Sequence, residues 1–193
     1  ESMGYIVNSQ AAFLRTGLSK TIAVIMPDVL NLFFAFLLDD IETEARRQGY
    51  STIFMTTDED MEIEAEALQT AIAKNVDGII WTPVQNNSIS VARLRATGIP
   101  FVLLARKFDD LETDYVIADD TESAYLITKH ITDKGHREII FVLPPEYNYT
   151  SEKRRKGFKK AIDEAGIELT ENMFCEVPLK GDHYRNMLAN ELY

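Results

Sequence analysis

The sequence is poor in the features that would mark it as secreted, membrane-bound or catalytic. It holds one cysteine, Cys175. That excludes an intramolecular disulfide framework and a cysteine-rich metal site, and reads as a small apolar residue in a strand. No run approaches the roughly 18 uninterrupted apolar residues that a membrane span requires. Glu1-Ser2-Met3-Gly4 is not a basic region followed by an apolar one, so no signal peptide is expected and the cytoplasm is the expected location. Positive charge is scarce: 20 Lys and Arg stand against 31 Asp and Glu, a net charge of −11. Duplex binding depends on neutralising phosphates, so the bulk of this surface is not built to grip DNA.

The motifs of the common enzyme classes are missing too. The first apolar run is not followed by Gly-x-Gly-x-x-Gly, and no phosphate-binding loop, His-Glu-x-x-His or Gly-x-Ser-x-Gly elbow occurs. His130 and His136 flank one helix end, where their charge suits the macrodipole. Asp58-Glu59-Asp60 reads as a solvated helix start. Nucleophile, base and oxyanion donor are nowhere assembled, so neither catalysis nor a metal nor a cofactor is expected.

What is present is an alternation of strand-like and helix-like runs in a chain that is 46% apolar. Thr21 to Met26 is a nearly continuous apolar run, the pattern of a parallel strand covered on both faces. A helix through Phe34–Leu38, Ile41 and Ala45 is closed by Gly49. Ser51–Thr56 is a strand, and Asp60 caps a helix whose buried side is read as Ile63, Ala67, Leu68 and Ile72. Strand Gly78–Trp81, helix Ile89–Thr97 and strand Pro100–Leu104 follow. Beyond a polar stretch from Arg106 to Asp114 come strand Tyr115–Ala118 and, after the Asp119-Asp120-Thr121-Glu122 capping signal, helix Ser123–Lys134. Strand Glu138–Leu143, helix Ser151–Ala165, strand Phe174–Val177 and helix His183–Leu192 complete the pattern. Strands alternating with helices make a right-handed parallel α/β architecture.

The order and spacing of several segments carry a resemblance. They are Ile22-Ala23-Val24-Ile25-Met26-Pro27-Asp28, Asn31-Leu32-Phe33-Phe34, Ala45-Arg46-Arg47-Gln48-Gly49-Tyr50 and Val76-Asp77-Gly78-Ile79-Ile80. Gly98-Ile99-Pro100-Phe101-Val102, Ala118-Asp119-Asp120, Gly135-His136-Arg137-Glu138-Ile139, and Arg154 with Gly157-Phe158 continue it. Together they resemble the effector-binding core of the LacI family of bacterial transcription regulators. Asn8 to Gly17 is similar to that family's hinge, which follows a helix-turn-helix head absent from this sequence. The resemblance implies an α/β, periplasmic-binding-protein-like fold of two doubly wound parallel-sheet lobes. Residues 1–20 are then the hinge, 21–114 the N-terminal lobe, and 115–193 part of a C-terminal lobe. Two full lobes take roughly 250 residues or more, so the second is expected to be incomplete.

The same resemblance implies a function, a ligand-responsive repressor controlled by a sugar-like or purine-like effector. A solute-binding protein of the same fold, linked to transport, is the alternative. Partners would be operator DNA, reached through the head and the hinge residues Asn8, Ala11, Leu14 and Arg15, and a second copy in a homodimer. An apolar wedge such as Leu14 unstacks a base step and bends the duplex. In doubly wound folds ligands lie beyond the carboxyl ends of the strands. That rule selects Asn31, Phe33 and Arg106 in the first lobe, and Asn148, Thr150 and Arg154 in the second. Phe33 can cover a ring or pack in the core. Arg106 can meet a ligand or brace the crossover. Arg154 offers a bidentate fork, or pairs with a neighbouring carboxylate. Trp81 is read as packing. The sequence departs from the family pattern at Val7, Ala12, Leu18, Leu32 and Ala105. The losses of charge at Ala12 and Leu18 bear on operator affinity, and that at Ala105 on a sugar effector.

Overall fold

The computed structural model describes residues 17–84, 88–144 and 149–177. They form two compact units, divided between Ile117 and Ala118.

The first unit is built on a five-stranded parallel sheet. Its strands are β1 (Thr21–Met26), β2 (Ser51–Thr56), β3 (Gly78–Trp81), β4 (Phe101–Leu104) and β5 (Tyr115–Val116), in the order β2-β1-β3-β4-β5. Every pairing is parallel. Strand order reverses at β1, and such a switch point opens a crevice at the carboxyl edge. The connecting helices are α1 (Leu32–Arg47), α2 (Met61–Ala73) and α3 (Ser88–Thr97).

Side chains alternate across β1. Ala23 and Ile25 join Ala67, Leu68, Ala71, Trp81 and Leu94 in one core. Val24 and Met26 meet Phe34 on the other face, with Leu37, Ile41 and Phe54 packed around them. Beside α1 a hollow of about 430 Å³ runs along the sheet, lined by Ile22, Ile41, Ala45, Tyr50 and Ile80. Asp77 fixes the entry to β1, because its carboxylate accepts from the backbone amides of Ser19 and Lys20 at 2.7 and 2.9 Å.

Two helix readings in the first unit need correction. The first helix begins at Leu32, ahead of Phe34, because the Asn31 side chain caps it. The second does not bury Ile63, whereas Ile72 is partly buried and packs against the core as read. Its buried residues are Glu64, Ala67, Leu68 and Ala71, while Ile63 is exposed. A carboxylate thus occupies a place in the apolar stripe, for reasons visible at the site below. Strand β5 pairs with β4, so the chain stays with the first sheet past Asp114 as far as Ile117.

The second unit contains α4 (Asp120–Asp133), β6 (Phe141–Leu143), α5 (Tyr149–Glu164) and β7 (Phe174–Glu176), with β6 and β7 parallel. Helix α4 starts earlier than Ser123, since Asp119 itself is the cap and accepts from the Glu122 amide at 2.9 Å. Strand β6 is shorter than the expected Glu138–Leu143, and Cys175 lies half-buried in β7. Phe141 stacks on Phe158 at 4.8 Å, and Phe174 meets Phe158 edge-on at 5.5 Å. Helices α4 and α5 touch at Gly157. A β-carbon there would run into the Thr121 carbonyl oxygen, so only glycine fits. The expected helix His183–Leu192 lies outside the described residues.

Candidate effector site at the carboxyl edge

Four loops leave the carboxyl ends of β1 to β4, and their local chemistry fixes each one. After β1, the Asp28 carboxylate accepts from the Leu30 amide at 2.8 Å, and Asn31 Oδ1 accepts from the Phe33 amide at 3.1 Å. The second bond is an N-cap that satisfies an orphan donor of α1. It also sets the two phenylalanines apart. Phe34 is 7% exposed and faces the sheet, whereas Phe33 is 54% exposed. Their rings meet edge-on at 5.2 Å. Phe33 is therefore an aromatic surface beside a strand end, supported from behind by a core ring.

After β2, Asp58 and Glu59 both adopt left-handed backbone, with φ of 51° and 61°. This turn delivers Asp60 to cap α2, where it accepts from the Glu62 amide at 2.7 Å and the Ile63 amide at 3.1 Å. It also aims Glu59 at the loop after β4. There Arg106, 5% exposed, donates Nη1 to Glu59 Oε2 at 2.7 Å and Nη2 to Oε1 at 2.5 Å. This is the paired fork geometry that a guanidinium offers a carboxylate. Arg106 Nη1 also donates to the Pro83 carbonyl at 3.2 Å. Of the two roles open to Arg106, these contacts are those of a brace. Ala105 just before it has φ 62°, a region that aspartate or asparagine tolerates better than alanine.

The loop after β3 is held from a second direction. Glu64 of α2 is fully buried, and its Oε2 accepts from Trp81 Nε1 at 2.9 Å and from the Val84 amide at 2.5 Å. A buried carboxylate must be hydrogen-bonded, and these donors meet that need. Trp81 is fully buried against Phe101 and Phe108, at 6.4 and 6.3 Å, and is a packing residue as read.

Glu59 and Glu64 were missed as site-forming residues. Glu64 carried a legible signal, for it falls in helical phase with Ala67, Leu68 and Ala71. Glu59 carried none, because its partner lies 47 residues away.

In the second unit, Arg154 Nε donates to Asp120 Oδ1 at 2.7 Å. Asp120 is 8% exposed at its side chain and Arg154 57%, so the arginine is anchored at one end while much of its guanidinium faces solvent. Thr150 is half-buried in the first turn of α5. Asn148 and the hinge residues Asn8, Ala11, Leu14 and Arg15 lie outside the described residues. Among the described residues, no three His, Cys, Asp or Glu side chains converge as a metal site, and no helix is long and apolar enough to cross a membrane.

Comparison with known proteins agrees with this architecture. Residues 19–193 match the family described as periplasmic binding proteins and sugar binding domain of LacI family. The chain is 30% identical over 193 residues to the HTH-type transcriptional repressor PurR of Glaesserella parasuis, covering 98% of this chain and 57% of that protein. It is 30% identical to catabolite control protein A of Priestia megaterium, covering 91% of this chain and 53% of the other. The chain thus spans little more than half the length of these curated relatives. Among solved structures, the transcription regulator CcpA of Lactococcus lactis superposes with a TM-score of 0.75 at 28% identity, over 89% of this chain and 63% of that one. A LacI family regulator from Enterococcus faecium, with bound ribose, gives the same score and identity over 89% and 62%. A parallel sheet with a switch point, matched over nearly its whole length to this group, places the chain in the family of periplasmic binding proteins and LacI-type sugar-binding domains.

Proposed function

We propose that the chain is the effector-sensing part of a DNA-binding transcriptional repressor, responding to a sugar or a nucleoside-like molecule. One observation carries this reading. An exposed aromatic ring, Phe33, stands at the carboxyl end of β1 beside loops that buried charges hold in place. Ligand sites of this class combine a ring-covering surface with a few preorganised polar groups. Asn31 and Phe33 would contribute from the first unit, with Arg106 bracing the wall. The ligand-contact candidates of the second unit are Asn148, Thr150 and Arg154. A relative with bound ribose supports a carbohydrate as the first class to test.

Signalling follows from a change in population between two arrangements of the lobes, each with its own effector affinity. The hinge residues Asn8, Ala11, Leu14 and Arg15 would carry that change to operator DNA in a cytoplasmic homodimer. Exposed Leu32 and Phe36 on α1, and Met61 on α2, support pairing through those helices. The acidic surface of this chain means that positive charge for the operator comes from another segment.

The test is calorimetric titration with D-ribose, fructose 1-phosphate, adenosine and hypoxanthine. Saturable binding of one of them, weakened by Phe33→Ala, supports the reading. Binding of one that Phe33→Ala and Arg154→Ala leave unchanged contradicts it. Sequencing of the coding region upstream of Glu1 separates the two family functions. A basic helix-turn-helix supports the regulator, and a signal peptide supports a transport-linked solute-binding protein.

A further inference from the structure

We infer that Glu64 is a positioning residue of the effector site, fixing the Trp81–Val84 segment through one buried carboxylate oxygen. The inference rests on the reading above that the small molecule sits at the carboxyl edge of the first sheet. It goes further by naming what sets one wall of that site.

Glu64 lies in the apolar stripe of α2, where alanine or leucine would serve packing alone. Burying a carboxylate there costs stability unless its bonds return it, and the Trp81 indole and the Val84 amide that donate to it belong to the segment leaving β3. Trp81 Nε1 and the Val84 amide converge on the same atom, Oε2, at 2.9 and 2.5 Å. The Trp81 ring is locked between Phe101 and Phe108. The indole therefore sets where the carboxylate stands, and the carboxylate sets where Val84 stands. Arg106 holds the same peptide group by its oxygen, Pro83 O, at 3.2 Å. A peptide unit held at both its oxygen and its nitrogen cannot rotate without breaking a charge-assisted bond. Val84 is thus a fixed point at the end of the segment leaving β3.

Because the Trp81 indole and the Val84 amide share one oxygen, the carbonyl of Glu64→Gln can retain these two bonds, whereas Glu64→Ala retains neither. The measurement is residue-resolved hydrogen exchange by NMR on the unliganded chain, in which Trp81 gives a single indole signal. Glu64→Ala is expected to speed exchange of the Trp81 indole proton and the Val84 amide by about tenfold to a hundredfold. The amides of Ala23–Ile25 in β1 should keep their protection. Glu64→Gln should restore most of the protection while moving both proton resonances upfield, as a charged acceptor becomes a neutral one. Unchanged exchange at Val84 in Glu64→Ala overturns the proposal. So does an equal acceleration throughout the first unit, which a merely core-filling residue would give. If Glu64→Ala does not fold, Glu64→Gln decides alone, and unmoved Trp81 and Val84 resonances overturn it. No ligand enters the measurement, so its outcome is independent of whether the titrations above find an effector.

Discussion

Glu64 and Arg106 hold one peptide group by its two ends: Arg106 donates to the carbonyl oxygen of Pro83, and Glu64 accepts from the amide of Val84. Arg106 is at the same time gripped by Glu59. Three loops at the carboxyl edge are therefore tied through alternating charges, Glu59, Arg106 and Glu64, leaving Phe33 as the exposed ring beside a rigid frame.

Removing Arg106 tests that frame. Arg106→Met leaves Glu59 without its fork, and breaking a buried pair costs about 3–5 kcal/mol. The Glu59 side chain is 32% exposed and can be hydrated, so the lower end, about 3 kcal/mol, is expected. Urea denaturation followed by Trp81 fluorescence measures it. The double variant Glu59→Gln/Arg106→Met should recover part of the loss.

The two adjacent phenylalanines should separate stability from binding. Phe34→Ala opens a cavity against Val24 and Met26 and should cost about 3–5 kcal/mol. Phe33→Ala removes a largely exposed ring, and should change unfolding by no more than about 0.5 kcal/mol while weakening effector binding. Paired denaturation and calorimetry of the two variants check this directly.

Gly157→Ala should unsettle the second unit. The added carbon meets the Thr121 oxygen and the Tyr125 amide nitrogen, both backbone atoms of α4, which cannot step aside as a side chain would. Overpacking of this kind costs about 1–3 kcal/mol and at times more. Since the single tryptophan is in the first unit, far-UV circular dichroism or amide exchange in α4 and α5 must report it.

The same helix pair carries a pH signature. Tyr125 donates its phenol to Glu164 at 2.8 Å. That bond first, then desolvation and the charge of Glu164, hold the phenol above its ordinary value of 10.0. The sign is that of a raised group. The contact is fully present below the ordinary value and is lost as pH rises through the raised one. NMR titration of Tyr125 should therefore show a midpoint above 10.0, and Glu164→Gln should move it back toward that value.

Much of the fold was legible because burial on both faces leaves a plain mark. Thr21–Met26 reads as a covered parallel strand and is one. Asp60 and Asp119 announce helix starts by local chemistry that needs no tertiary contact. Glu64 stands in helical phase with Ala67, Leu68 and Ala71 in place of the exposed Ile63, but the partners in another segment that bury its carboxylate left no local mark. For the same reason Arg106 could be selected by its place after β4, while its bond to Glu59 could not be read. Local pattern locates loops at a strand end; only the folded chain shows which charges in them are already paired.

The most direct measurement is the map of amide shifts when a bound sugar or nucleoside is titrated into the chain. The perturbed amides of the first unit should cluster in Asn31–Phe34 and Trp81–Val84, which follow the ends of β1 and β3. Perturbations confined to the hollow beside α1, around Ile22, Tyr50 and Ile80, would contradict an effector site at the carboxyl edge.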